Sequence, residues 1–509
     1  MSKRTKIVSP EPRGHAQVSC AALTWALFRR LRRTERTRLL SVVFCVHGCR
    51  RPPLADRSSH VSETVPLHLA GNNAPVPEEV TLEPSDVVGE IPAELSGQFF
   101  RNGPNPRTGW SPHSFAGDGM IHTIALDGGR ARWYRNRYVR TPLYEHPGES
   151  RFALALDQGT GRIDYRVTTA NTHLITHAGR LFALEEGGFP YEVTPDLATI
   201  GAHTFDGALR TPMTAHPKTC PITGELLFFG YRLRPPYLTY YRASAGGELV
   251  QTRVVDVPRA TMMHDFAITR NHVVFMDLPV VFDAARAAAG GPPWHWDDAH
   301  RARFGVLART AGDDAPVRWF DVAPCYVWHT MNAFEDPEGD TITVTGTRVP
   351  TLWRSGADDL EGGLPVVYRW TLDLRAGVVT EEPLDDAPSE YPRVADSMLG
   401  LPHRYGYTTS FCLDAEPDRS EIYAYDLTSG GVRATHRLPA GHTCGEAVFV
   451  PRAGTGENEG YLMTFAHDRG AGTSYLAILD AADLAAPPIA EVHVPVRIPA
   501  GFHGNWIPV

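Results

Sequence analysis

Four of the 22 histidines in this sequence stand in a distinctive context. They occur in "TAHPKT" (His216), "MMHDFA" (His264), "VWHTMNAFED" (His329) and "GFHGNW" (His503), each among small, turn-forming and apolar residues at the end of a strand-like run. The successive separations are 48, 65 and 174 residues, so no two belong to one local motif. Only a fold that gathers distant segments could bring them together. Once gathered, four neutral imidazoles would suit iron, zinc or copper. Spacing does not choose among these metals. His503, six residues from the last residue, also has a plainer reading, as part of a terminus tied down by packing alone. The other histidines, among them His122, His173, His177 and His295, read as ordinary buried or surface imidazoles.

Other chemistries leave no trace. There is no P-loop and no G-x-S-x-G, and "GTGENEG" lacks dinucleotide-binding spacing and lies in a polar loop. Cys220, Cys325, Cys412 and Cys444 are scattered singly, without a C-x-x-C pair. They form neither a disulfide framework nor a zinc-thiolate pattern, which reads as a reduced, cytoplasmic protein. A net charge of −9 makes the chain no electrostatic magnet for nucleic acid.

The elements that must position the histidines are short strands. From about residue 80 the runs "GQFFRNG", "MIHTIALDGG", "RLFALEEGG", "ELLFFGYRL", "HVVFMDLPVV", "TITVTGT", "EIYAYDLTSGG" and "YLMTFAHD" are rich in β-branched and aromatic residues and bounded by Gly, Pro, Asp or Asn. "ALDGGRARWYR" and "YDLTSGGVRATHRL" read as hairpins turning on Gly pairs. The clearest helical stretch is residues 283–307, read as an insertion on one face. Some 430 strand-rich residues without a low-complexity linker exceed one simple barrel or sandwich. Radial repetition of four-stranded sheets removes the edge problem at this length, and roughly 40–65 residues per blade gives about seven blades. The fold class is therefore all-β, a β-propeller. Its innermost strands converge on one axis, where single histidines from separate blades can meet.

Residues 1–60 differ from the rest. They carry 13 Arg and Lys against 3 Asp and Glu, which leaves 36 basic and 55 acidic residues for the remainder of the chain. "CAALTWALF" and "LLSVVFCV" are split by "RRLRRTERTR", so neither reaches the roughly 18–20 apolar residues that span a bilayer, and no signal-peptide order is present. This stretch reads as a disordered extension, as an upstream segment outside the native protein with Val61 as an alternative start, or as a basic arm for a membrane surface.

The chain resembles the carotenoid cleavage oxygenase family over essentially residues 75–509. "GQFFRNGPNP" (97–106), "HSFAGDGMIH" (113–122), "AHPK", "MMHDFAIT", "FMDLP", "WHTMNAFE" and the terminal "FHGNW" occur in the family's order. The resemblance implies a seven-bladed propeller with a cap of loops and short helices on the face above an axial metal. It further implies one non-haem Fe(II) per chain on His216, His264, His329 and His503. Second carboxylates are expected at Glu186 for His264, Glu390 for His329 and Glu446 for His503, leaving His216 without one. Thr172 corresponds to a small residue whose methyl closes the sixth iron position. Ser114 departs from the Trp common in relatives.

The implied activity is O2-dependent cleavage of one conjugated C=C bond of a carotenoid or apocarotenoid to two carbonyl products, with no catalytic side chain beyond the iron site. The substrate, a long apolar polyene, implies a tunnel lined by some of the aromatics of "RPPYLTYYRA" (235–244), "PPWHWDD" (292–298) and Phe334. "LPVVFDAARAAA" (278–289) has two even readings, a packed surface helix or an apolar patch for peripheral contact with the inner face of the membrane. Within the family the alternative is cleavage of stilbene-type phenolics, where relatives place a lysine just before the first second-layer glutamate. Glu185 stands there and would repel a phenolate. Retinyl-ester isomerohydrolysis uses the same frame, with nothing here to favour it. A non-catalytic propeller scaffold, with zinc or no metal, is the reading from another class.

Overall fold

The computed structural model describes residues 65–509 apart from 289–291, 355–361, 415 and 455. The basic segment 1–60 lies outside them. Seven antiparallel sheets follow one another around a central axis, and the fold is a seven-bladed β-propeller. Blade 2 spans 173–202, blade 3 218–255, blade 4 267–321, blade 5 326–383 and blade 6 389–437, each with its first strand innermost.

The ring closes twice. The last strand, Gly504–Pro508, pairs with Gly97–Pro104 and becomes the innermost strand of blade 1, whose others are Gly119–Asp127, Arg130–Tyr138 and Thr81–Leu82. Near the other end of the described chain, Asp86–Gly89 pairs with Ala490–Val494 as the outermost strand of blade 7, which spans 442–494. Each terminal region thus completes the sheet begun by the other, removing two free edges.

The two predicted hairpins form. Gly119–Asp127 meets Arg130–Tyr138 through Gly128 and Gly129 at φ 55° and 75°, the left-handed conformation that such tight turns require. The helical expectation for 283–307 fails beyond its first turn. Among the described residues of this stretch Ala284–Ala288 alone is helical, and Trp294–Trp296 pairs instead with Val280–Phe282 in a small two-stranded sheet. Two consecutive prolines separate these pieces, and the aromatic alternation of "WHW" favours a ladder.

Apolar residues fill the spaces between blades. The largest cluster joins blades 4 and 5 around fully buried Phe304, Val344 and Trp370. Where burial is described in the segment 278–289, no large apolar side chain is exposed: Leu278, Val280, Val281 and Ala287 are buried, and the exposed residues are Ala284, Ala285 and Arg286. The membrane-patch reading thus gains no support. Among the described residues no helix is long and apolar enough to cross a membrane.

Candidate metal centre

The four singled-out histidines sit at or just before the inner strands of four blades. His216, His264 and His503 each sit one to three residues before an inner strand (Lys218–Thr219, Ala267–Ile268 and Gly504–Pro508), while His329 lies inside Tyr326–Glu335. There the register slips between Val327 and Thr330. Similar breaks hold two of the glutamates. The ladder of Ser389–Arg393 shifts between Glu390 and Arg393, with Tyr391 at φ 56°. The inner edge of blade 7 is split into His442–Cys444 and Val448–Pro451, with Glu446 in the gap. Irregular backbone re-aims a side chain that a regular ladder would send to one face or the other. At His329 the slip also needs Gly346 opposite, because a Cβ there would lie 2.8 Å from the His329 carbonyl oxygen.

One ring nitrogen from each histidine falls within 4.8 Å of the corresponding atom of all the others. His216 Nε2 lies 2.9 Å from His264 Nε2, which lies 3.3 Å from His329 Nε2. The opposite nitrogens face carboxylates. His264 Nδ1 is 2.5 Å from Glu186 Oε2, His329 Nδ1 2.7 Å from Glu390 Oε2, and His503 Nδ1 3.2 Å from Glu446 Oε1. A carboxylate only accepts, so Nδ1 carries the proton in each case and Nε2 presents a lone pair to the axis. Among the described residues no carboxylate is bonded to His216.

Further hydrogen bonds hold the carboxylates. Tyr231 donates its hydroxyl to Glu186 at 2.6 Å, Thr347 to Glu390 at 2.6 Å, and the Gly504 amide to Glu446 at 2.7 Å. Arg393 lies 3.5 Å from Glu446. Burial pushes the His216 imidazole well below its ordinary range. At His503 burial also wins, over the opposing pull of Glu446. At His329 burial acts the same way, but the Glu390 carboxylate outweighs it and the net shift is upward.

The donor set fits a divalent ion of the first transition row. Four neutral nitrogens add no first-layer charge, and neutral imidazoles suit Fe, Zn and Cu. Behind the rings, three buried or half-buried carboxylates, one of them beside the Arg393 guanidinium, add negative charge around the cluster. A bound cation would offset it, since unbalanced buried charge is costly.

Thr172 stands just before the inner strand of blade 2. Its carbonyl accepts the His503 amide at 3.2 Å, and its hydroxyl donates to Asn171 at 3.0 Å. Every blade therefore sends a residue to the axis. Glu185 turns away from the expected role of repelling a phenolate. It is buried and ion-paired with Arg151 at 2.8 Å, and it accepts from Thr168 and from the Gly187 amide. Its charge is neutralised in place. Ser114 Oγ lies 3.3 Å from His113 Nδ1, outside the histidine cluster.

Sequence reasoning missed several neighbours. His173, read as ordinary, lies with its ring 5.2 Å from that of His503 and 5.9 Å from that of His216. The Tyr391 ring stacks on His329 at 5.8 Å. Trp328, adjacent in sequence to His329, meets His264 edge-on at 4.9 Å. From Trp328 an aromatic series runs through Phe115 to Phe502, and separately to Trp353. Of the aromatics expected at a tunnel, Tyr240 and Tyr241 are blade core, and Phe334 packs on His403 between blades. Trp294 reaches Tyr231, the partner of Glu186. The signal for Trp328 and Phe115 was their place in the ordered motifs beside His329 and His113.

Residues 73–508 match the retinal pigment epithelial membrane protein family. The chain belongs to this family of carotenoid oxygenases. It is 35% identical over 504 residues to the carotenoid cleavage oxygenase of Mycobacterium tuberculosis, covering 89% of this chain and 99% of that one. It is 36% identical to the carotenoid 9,10(9',10')-cleavage dioxygenase of Crocus sativus, covering 87% and 89%. Among solved structures, the lignostilbene dioxygenase of Pseudomonas brassicacearum superposes with a TM-score of 0.76 at 27% identity, over 87% of this chain and 99% of that chain. The cobalt-substituted apocarotenoid oxygenase of Synechocystis gives 0.74 at 26%, over 86% and 97%. The oxygenase is thus similar across almost all the described propeller to a carotenoid cleavage oxygenase, an apocarotenoid oxygenase and a lignostilbene dioxygenase.

Proposed function

We propose that this oxygenase is a non-haem Fe(II) dioxygenase that cleaves one conjugated C=C bond of a carotenoid or apocarotenoid with O2 to give two carbonyl products. One ion per chain is held by His216, His264, His329 and His503. The observation that carries the reading is the convergence of four imidazole nitrogens within 4.8 Å on the propeller axis. When bound, Fe(II) on four neutral imidazoles supplies an open coordination position at which O2 is activated.

The protein's own part is positional. Glu186, Glu390 and Glu446 fix the tautomer and rotation of three ligand rings, which also raises their basicity as donors. Thr172, held against the His503 backbone, is assigned to close one position with its methyl group. The fourteen residues between Thr172 and Glu186 equal the separation of a threonine and a glutamate altered in variants of the Synechocystis apocarotenoid oxygenase. Phe115, Trp328, Trp353 and Phe502 give the polyene an apolar wall and exclude water from the bond being cut.

A phenolic stilbene fits less well. The one lysine after residue 60, Lys218, is paired with buried Asp265, and Arg151 is engaged by Glu185. The test is incubation of the Fe(II)-loaded protein with carotenoids, apocarotenals and hydroxystilbenes, followed by product mass. Paired aldehydes or ketones from a polyene are expected. No carbonyl product from any polyene overturns the proposal, and cleavage confined to hydroxystilbenes replaces the substrate class.

A further inference from the structure

Behind three of the four histidines lies a second buried cluster, built from the residues next to them in sequence. Asp265, directly after His264, is 1% exposed at its side chain, and its Oδ1 accepts from Lys218 Nζ at 2.8 Å. Lys218 is two residues beyond His216. Asp265 Oδ2 accepts from both the amide and the hydroxyl of Thr330 at 2.8 Å, and Thr330 directly follows His329. The Phe266 amide completes the set on Oδ1 at 2.8 Å. One carboxylate thus spans the inner strands of blades 3, 4 and 5 with each of its oxygens twice bonded. A second bridge parallels it. Thr214 accepts the His216 amide and donates to the His264 carbonyl, both at 3.1 Å.

We propose that Asp265, Lys218 and Thr330 are positioning residues that set the separation of His216, His264 and His329, so that these three nitrogens form a preorganised face for the ion. The inference rests on the metal-site reading above. Each of the three histidines is anchored on a different blade, and the apolar part of the inter-blade packing carries no preferred direction. A charged hub with fixed hydrogen-bond directions does, because displacing any one partner leaves a buried donor or acceptor unpaired. His216 has the greatest need of such support. It lacks the carboxylate that orients the other three, and the Lys218 and Thr214 contacts fix its backbone from both sides. The fourth ligand, His503, is held separately by Glu446 and Thr172, so the hub defines three positions and leaves the last strand to complete the site.

The test uses the full chain, stripped with chelator and titrated with Co(II), whose ligand-field bands report coordination geometry directly. The double variant Lys218→Met/Asp265→Asn removes both charges together and avoids leaving one buried alone. It is expected to bind Co(II) about tenfold to a hundredfold more weakly, as is typical when partners behind metal ligands are lost, with altered band positions. Lys218→Arg should retain most of the wild-type affinity. Glu335→Gln serves as the comparison. It breaks the Glu335–His272 pair between the same blades 4 and 5, at the far end of the His329 strand, and should lower thermal stability without moving the Co(II) spectrum. Wild-type affinity and spectrum in the double variant would overturn the proposal while leaving the metal site standing. Failure of the wild type itself to bind Co(II) would overturn the metal-site reading and this inference with it.

Discussion

Glu446 and His503 are 57 residues apart in sequence and meet at the axis, with Nδ1 of the imidazole 3.2 Å from Oε1 of the carboxylate. The other oxygen, Oε2, accepts the amide of Gly504 at 2.7 Å. One side chain therefore orients the ring and pins the backbone that carries it. The chain end is held by a ladder with Gly97–Pro104, by Asn102 accepting from Phe502 and donating to His503, and by this carboxylate. Closure of the propeller and completion of the histidine cluster are the same event.

Removing residues 503–509, or the single change His503→Ala, should therefore abolish metal retention. The truncation should also lower the melting temperature, since it strips the inner strand of blade 1. Glu446→Gln keeps the shape and one accepting oxygen but loses the charge, and should weaken metal binding by about tenfold to a hundredfold. Metal content of the purified proteins, measured per chain, checks all three. Stoichiometric iron in His503→Ala would refute the assignment.

Glu185 and Arg151 form a buried pair, with side chains 8% and 9% exposed, that ties the short helix Arg151–Ala155 to the turn carrying Glu186. Breaking one side of such a pair leaves a buried charge and typically costs about 3 kcal/mol or more. Glu185→Gln should thus destabilise the protein by that order in denaturant unfolding. Glu185→Lys should do worse, and should not confer stilbene cleavage, because it sets two cations side by side.

The four histidines were legible because each lies in a distinctive motif, and the strand-rich texture made a propeller the economical architecture. What sequence could not supply was the contact between blades. The Asp265 hub joins residues 47 to 65 positions apart, which nothing local distinguishes from solvated charges. His173 looked ordinary because its importance comes only from standing beside His216 and His503. The glutamates were assigned by resemblance, and their irregular backbone at 390–393 and 445–447 has no sequence signature. The helix read into 283–307 failed because alanine-rich composition at its start was extended across two prolines and an aromatic strand.

Trp328 links the cluster to the neighbouring aromatics, touching His264, Tyr326, Phe115 and Trp353. Trp328→Ala should leave iron content near the wild-type value while lowering kcat/KM for a polyene by at least about tenfold, the equivalent of roughly 1.4 kcal/mol. Steady-state kinetics alongside metal analysis separate the two effects. Loss of iron in this variant would place Trp328 in support of the ligand His264 instead of in the substrate wall.

His403 gives a pH dependence that is separate from the metal. It is 9% exposed, accepts from Asn332 Nδ2 at 3.0 Å and packs edge-on against Phe334 at 5.5 Å. Burial pulls its imidazole from 6.5 down to about 4. Between those values the unfolded chain holds the proton and the folded protein does not, so stability falls as pH drops through this interval and the loss is complete below about 4. The shift corresponds to roughly 3 kcal/mol. Replacing His403 by glutamine, which does not titrate, should lower stability at neutral pH but make it less sensitive to acid. The difference in unfolding free energy between wild type and variant should shrink as pH falls from about 7 to about 4.5. Because both proteins share the remaining buried histidines, that difference isolates His403. Parallel acid limbs for the two proteins would show that His403 does not carry the effect.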